Sequence, residues 1–117
     1  MGYQDLLVWQ KAMDLVEEIY RVVKLLPREE LYALSSQMRR AAVSIPSNIA
    51  EGQSRITKKD FAGFLAIARG SNAERRTQCL ICIRLGYIPE QEMKRSLALS
   101  DEIGKMLSSM LGKMNAP

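Results

Sequence analysis

Three groups of side chains in this sequence could do chemistry. Glu51 and Glu74 are candidates for a pair of catalytic carboxylates. Acid–base work of that kind uses a nucleophile, a metal or a histidine beside it, and the chain contains no histidine. Cys79 and Cys82 have the C-x-x-C spacing of redox and metal sites, but no second pair accompanies them. They lie on an apolar helical run, where a free thiol behaves as a small hydrophobe, and are read as buried structural thiols. The third group is basic. On a wheel of about 100° per residue, Lys58, Arg69 and Arg76 fall within about 20° of one line. Arg75 and Arg84 lie nearby, and Lys59 and Arg55 extend the charge toward a loop. Such a stripe is either a solvated face or a set of phosphate contacts. No aromatics are interleaved with it, so contact would be to the backbone rather than by base stacking. No catalytic residue, metal ligand or cofactor site is expected.

These residues must be carried by helices. Leu6, Trp9, Met13, Val16, Tyr20 and Val23 repeat by three and four, which predicts a first helix over about 4–26. Pro27 ends it. A second helix is predicted over 29–51, with Leu31, Leu34, Met38, Ala41, Ala42, Ile45 and Ile49 on one side. Pro46 should kink or break it. After the loop at Gly52–Arg55, Thr57 and Asp60 form a variant capping box that opens a third helix over 58–85. Gly86 stops that helix and Pro89 begins a fourth over 89–112. No segment alternates with period two long enough to be a strand. The expectation is an all-α, antiparallel up-down-up-down four-helix bundle forming a single domain over residues 1–117.

Placing the third helix on the wheel puts Ile67, Ser71, Glu74, Gln78, Ile81 and Leu85 on one apolar side. Gln37, Arg40, Ser44, Asn48 and Glu51 flank the apolar face of the second helix. A carboxylate on an apolar face is costly unless paired, so Glu74 is expected to meet Arg40 in a buried polar network. Apolar residues also cover more than half of the third helix's circumference, more than one bundle requires. Self-association is therefore expected.

Composition agrees with a folded domain. The chain of 117 residues is 47% hydrophobic and 26% charged, with 4 Pro and 7 Gly, which places it among globular proteins rather than disordered ones. At that length it buries roughly two-thirds of its unfolded surface and needs no metal or disulfide. The longest apolar stretch, Phe61 to Ala68, falls far short of the ~20 residues that span a bilayer. Asp5 falls where a signal peptide would be apolar, so a cytoplasmic location is expected. Residues 58–86 hold six Lys/Arg against Asp60 and Glu74, and thus the whole net charge of +4, the rest of the chain being balanced. The asymmetry suits a nucleic acid or an acidic protein partner.

The run from Ser36 through Arg40, Ser44, Pro46, Asn48 and Glu51 to Gly52, SQMRRAAVSIPSNIAEG, resembles the signature of the bacterial four-helix-bundle proteins named after the intervening sequences of 23S ribosomal RNA. Leu7–Ala12 (LVWQKA), Phe64–Ser71 (FLAIARGS) and Leu85–Ile88 (LGYI) resemble that family too. The resemblance covers nearly the whole chain. It implies a scaffold without enzymatic activity. It is similar also to the accessory variability determinant of diversity-generating retroelements, a basic homopentamer that binds nucleic acid and a reverse transcriptase. A homopentamer with no small-molecule substrate is what the resemblance implies here. The family's signature positions carry over as Arg40, Ser44, Asn48, Glu51, Ser71, Glu74 and Thr77. Where relatives commonly show Glu-Leu-Glu-Thr, this chain has Glu74-Arg75-Arg76-Thr77. The leading functional expectation is a non-catalytic, oligomeric nucleic-acid-binding scaffold. The alternative is a scaffold whose arginines meet an acidic protein or a reverse transcriptase.

Overall fold

The computed structural model describes residues 2–114. It contains four α-helices: α1 (Leu7–Val22), α2 (Leu34–Gln53), α3 (Lys58–Arg84) and α4 (Glu90–Met114). Single turns of 3-10 helix stand at Tyr3–Asp5, Val23–Leu25 and Arg28–Glu30. Among the described residues there is no strand. The first two predicted helices are thus too long at the ends that face each other across Pro27. Residues 23–25 and 28–30 tighten into 3-10 turns around Pro27, which has no N–H to continue a ladder. Pro46 lies inside α2, which runs unbroken to Gln53, so the expected break is absent.

The helices pack in a ring, α1 on α2, α2 on α3, α3 on α4 and α4 on α1, while the diagonal pairs stay apart. The enclosed core holds Ala12, Leu15, Ile19, Met38, Ala42, Ile45, Ile49, Leu65, Ala68, Cys79, Cys82, Met93, Ile103 and Leu107. At roughly 25 cal/mol per Å² of buried apolar surface this core is the main source of stability.

Two local features fix the ends of α3. The Thr57 hydroxyl accepts the Asp60 N–H at 3.1 Å, the cap read from the sequence. Gly86 adopts φ +75°, a conformation that favours glycine, and the Tyr87 N–H then reaches back to the Cys82 carbonyl at 3.0 Å. At the other end of the molecule Gly52 lets α2 press against the start of α3. A Cβ there would lie 2.8 Å from both Phe61 Cδ1 and Phe64 Cβ. Arg21 of α1 donates to Glu18 on its own helix at 2.6 Å and to Glu92 of α4 at 3.0 Å.

Candidate nucleic-acid interface and polar waist

The face that α3 turns inward is Leu65, Ala68, Asn72, Arg75, Cys79 and Cys82, an unbroken three-four repeat. It lies roughly 110° around the helix from the face chosen on the sequence wheel. Both faces carry a three-four repeat containing isoleucine, leucine or cysteine, so periodicity by itself does not separate them. α1 shows the same displacement. Val8, Ala12, Leu15, Ile19 and Val22 are buried, while Met13 and Tyr20 stay about two-fifths exposed.

This rotation decides the fate of the basic residues. Arg75, read from the sequence as a phosphate contact, has 0% of its surface exposed and cannot touch nucleic acid. Its Nη1 donates to the Cys79 Sγ at 2.9 Å, and its Nε and Nη2 have no partner among the described residues. Burial pushes its pKa down, the cost of a cation in an apolar site. Arg76 points toward α4 and donates through Nε to Asp101 Oδ1 at 2.8 Å. Arg55 is engaged twice, by Glu51 at 2.6 Å and over the Phe64 ring at 4.8 Å. Lys58, Lys59, Arg69 and Arg84 are exposed and make no ion pair among the described residues.

One cation escaped the sequence reading. Lys105 of α4 lines the same cleft between α3 and α4 as Arg69 and Arg76. Residues 87–117 are charge-balanced as a whole, which hid it. Its spacing from Asp101, one helical turn, was the signal available.

The expected polar network, here called the polar waist, lies along the half-buried seam between α2 and α3 and its exposed margin rather than inside the bundle. The Ser44 and Ser71 hydroxyls are 2.9 Å apart. Asn48 Nδ2 donates to the Ser44 carbonyl at 2.7 Å and to its hydroxyl at 2.9 Å. Arg40 and Glu74 line one shallow cleft with Gln37 and Ala41, of about 320 Å³. Both are exposed, however, and no ion pair joins them, so the expected buried pair is not present. Thr77 donates to the Ala73 carbonyl on its own helix, and Glu51 is held by Arg55. The buried polar contact is elsewhere. Asn72 donates to the Ser100 carbonyl and accepts from the Ser100 hydroxyl, each at 2.9 Å, linking α3 to α4.

Beside the waist, α3 presents Ile67 (52% exposed), Ile81 (41%) and Leu85 (58%) to the outside. These are residues of the second repeat, left uncovered in the single chain. The thiols face the core. Cys79 and Cys82 are buried and unpaired by disulfide. Burial raises both, Cys82 to about 11, so both are held protonated at neutral pH. A protonated, inaccessible thiol is a poor nucleophile and a poor metal ligand.

Comparison with known proteins agrees with this architecture. The family described as 23S rRNA-intervening sequence protein matches residues 4–109. A solved structure from Bacteroides thetaiotaomicron is similar, with a TM-score of 0.83 and 28% identity, over 90% of this chain and 98% of that one. It is described as a protein of unknown function from the S23 ribosomal protein family. No curated protein matches the chain.

Proposed function

The chain belongs to the 23S rRNA-intervening sequence protein family, and we propose that it is a non-catalytic oligomeric scaffold that binds nucleic acid. Phosphate contact is assigned to Lys58, Lys59, Arg69, Arg76 and Arg84, with Arg55 at the margin because Glu51 already holds it. The observation that carries this reading is the distribution of charge and burial on α3. Its cations sit on the side toward α4 and at its two ends, and four of them lack any ion-pair partner among the described residues. Unpaired surface cations attract polyanions and release their counterions on contact.

The opposite margin of α3 supports assembly. Ile67, Ile81 and Leu85 form an apolar ridge, and a second copy is its proposed cover. Closed cyclic symmetry buries such a ridge without leaving a sticky end, and five subunits is the number taken from the resemblance. Arg40 and Glu74, exposed and without an ion pair among the described residues, then have partners in a neighbouring chain. The scaffold is read as an antiparallel up-down-up-down bundle with a bend of α2 at Pro46, on the strength of its short connections and the missing Pro46 N–H. Among the described residues no helix is long and apolar enough to cross a membrane, and the proposed location is cytoplasmic.

The test is fluorescence anisotropy with two unrelated RNA sequences across a salt series. Lys58→Gln, Arg69→Gln and Arg76→Gln together should weaken binding to both similarly and flatten the dependence on salt. An affinity that ignores salt, or binding to an acidic protein but not to RNA, would overturn this reading in favour of the protein-partner scaffold.

A further inference from the structure

The cleft between α3 and α4 has the features of a built site for the phosphates of a nucleic-acid strand. It encloses about 460 Å³ and is lined by Arg69 and Arg76 from α3 and by Asp101, Gly104, Lys105 and Ser108 from α4. Three cations therefore face one carboxylate. That carboxylate is engaged, since Asp101 accepts from Arg76 Nε at 2.8 Å. The bond fixes the Arg76 side chain and leaves its two Nη groups without a partner among the described residues. Arg69 and Lys105 make no ion pair there either.

The floor is narrow by construction. Gly104 has no side chain, and a Cβ at that position would lie 3.4 Å from Asn72 Nδ2. The polar groups beneath, Asn72 and Ser100, satisfy one another and do not compete for a ligand. Donors thus surround the opening while the bottom is inert. Guanidinium forks and an ammonium around a small concavity match an anion with several acceptor oxygens.

Length selects the kind of anion. Arg69 and Arg76 are seven residues apart, about 10 Å along the helix axis. Successive phosphates of one strand advance about 3.4 Å along a duplex axis but lie roughly twice that far apart through space, so the two arginines span about two of them. A lone phosphate would reach only one end.

We propose that this α3–α4 cleft, with Arg69, Arg76 and Lys105 as its cationic wall, seats about two consecutive phosphates of a nucleic-acid strand. The assignment rests on the nucleic-acid reading above and adds to it a place, a direction along the helices and a residue of α4. Contacts there are to backbone, so the cleft positions a strand without reading its bases.

Anisotropy of a fluorescent 16-nucleotide RNA of mixed sequence tests it. Arg69→Gln with Lys105→Gln should weaken binding roughly 10-fold to 50-fold at moderate salt and lower the magnitude of the salt slope by about 1.4, two contacts at ~0.7 each. Lys24→Gln with Lys94→Gln removes the same charge from exposed positions outside the cleft and should change affinity less than about threefold, long-range charge being screened. Equal losses for the two pairs would overturn the cleft while leaving nucleic-acid binding intact. If the protein binds no RNA, the broader reading falls, and the cleft is judged by inorganic tripolyphosphate. Backbone amide shifts at Gly104 and Ser108 on titration would sustain an anion site there. Their absence would remove it.

Discussion

Replacing Arg75 with leucine should make the protein more stable, although the substitution removes a charged hydrogen-bonding side chain from its centre. Arg75 is fully buried, and among the described residues only Nη1 of its three side-chain nitrogens has a partner, the Cys79 sulfur at 2.9 Å. A neutral sulfur is a weak acceptor. Each buried donor atom left unpaired costs about 1–3 kcal/mol, and the charge itself adds desolvation. Against this, the aliphatic stem packs in the core and leucine fills slightly less space. Exchanging buried ionic groups for apolar ones of similar volume stabilises by roughly 1–4 kcal/mol. Unfolding entropy of about 2.1 cal/mol/K per residue over 117 residues is about 0.25 kcal/mol/K. The melting temperature should therefore rise by about 4–16 °C. Thermal melts followed by circular dichroism, at matched concentration because assembly also shifts the midpoint, measure it. RNA affinity should stay within about twofold, since Arg75 does not reach the surface. A lower midpoint would refute the argument. It would mean that the guanidinium has a partner in the functional protein, such as a bound anion or a group from a neighbouring subunit. Arg75→Met separates cavity from charge, because its unbranched stem follows the path of the arginine. If methionine stabilises and leucine does not, packing is responsible.

Three further outcomes follow from the same structure. Gly52→Ala should destabilise by about 1–3 kcal/mol in urea denaturation, since its Cβ would lie 2.8 Å from Phe61 and Phe64 atoms; an unchanged midpoint would show that the α2–α3 corner yields freely. Glu74→Ala should change the stability of the isolated chain by no more than about 0.5 kcal/mol, as expected of an exposed, unpaired side chain. If it also shifts the sedimentation profile, Glu74 meets a neighbouring copy. Stability should fall as pH rises from about 9 toward 11. Cys82 keeps its proton in the folded state up to about 11 but loses it near 9.0 when unfolded, so the unfolded state binds fewer protons in that window. The Cys82→Ala variant, itself less stable at pH 7, should lose part of that slope, and a slope identical to that of the parent chain would remove Cys82 as its source.

Much of the architecture can be read directly from local sequence. Pro27, the Thr57–Asp60 cap and Gly86 each act within a few residues of their own position, so the ends they set need no tertiary information. On α2 the inward residues Met38, Ala41, Ala42, Ile45 and Ile49 are also evident, because the polar residues of that helix confine them to one side. The family signature lies mainly on this helix and on the middle of α3.

The rotation of α3 about its own axis was beyond local reading. The helix carries two three-four repeats, and an isolated helix has no preference between them. Packing between α2 and α4 decides, through the volume available at each position, that Leu65, Ala68, Asn72, Arg75, Cys79 and Cys82 turn inward. That choice placed a positive charge in the core and put Glu74 on the surface, while leaving an isoleucine ridge uncovered. It also brought Lys105, fully 29 residues beyond Arg76, into one cleft with it. Charge and spacing along a chain report which residues share a helix face. Which face becomes interior, and which cations from different helices converge, is settled only when neighbouring helices compete for the same buried volume.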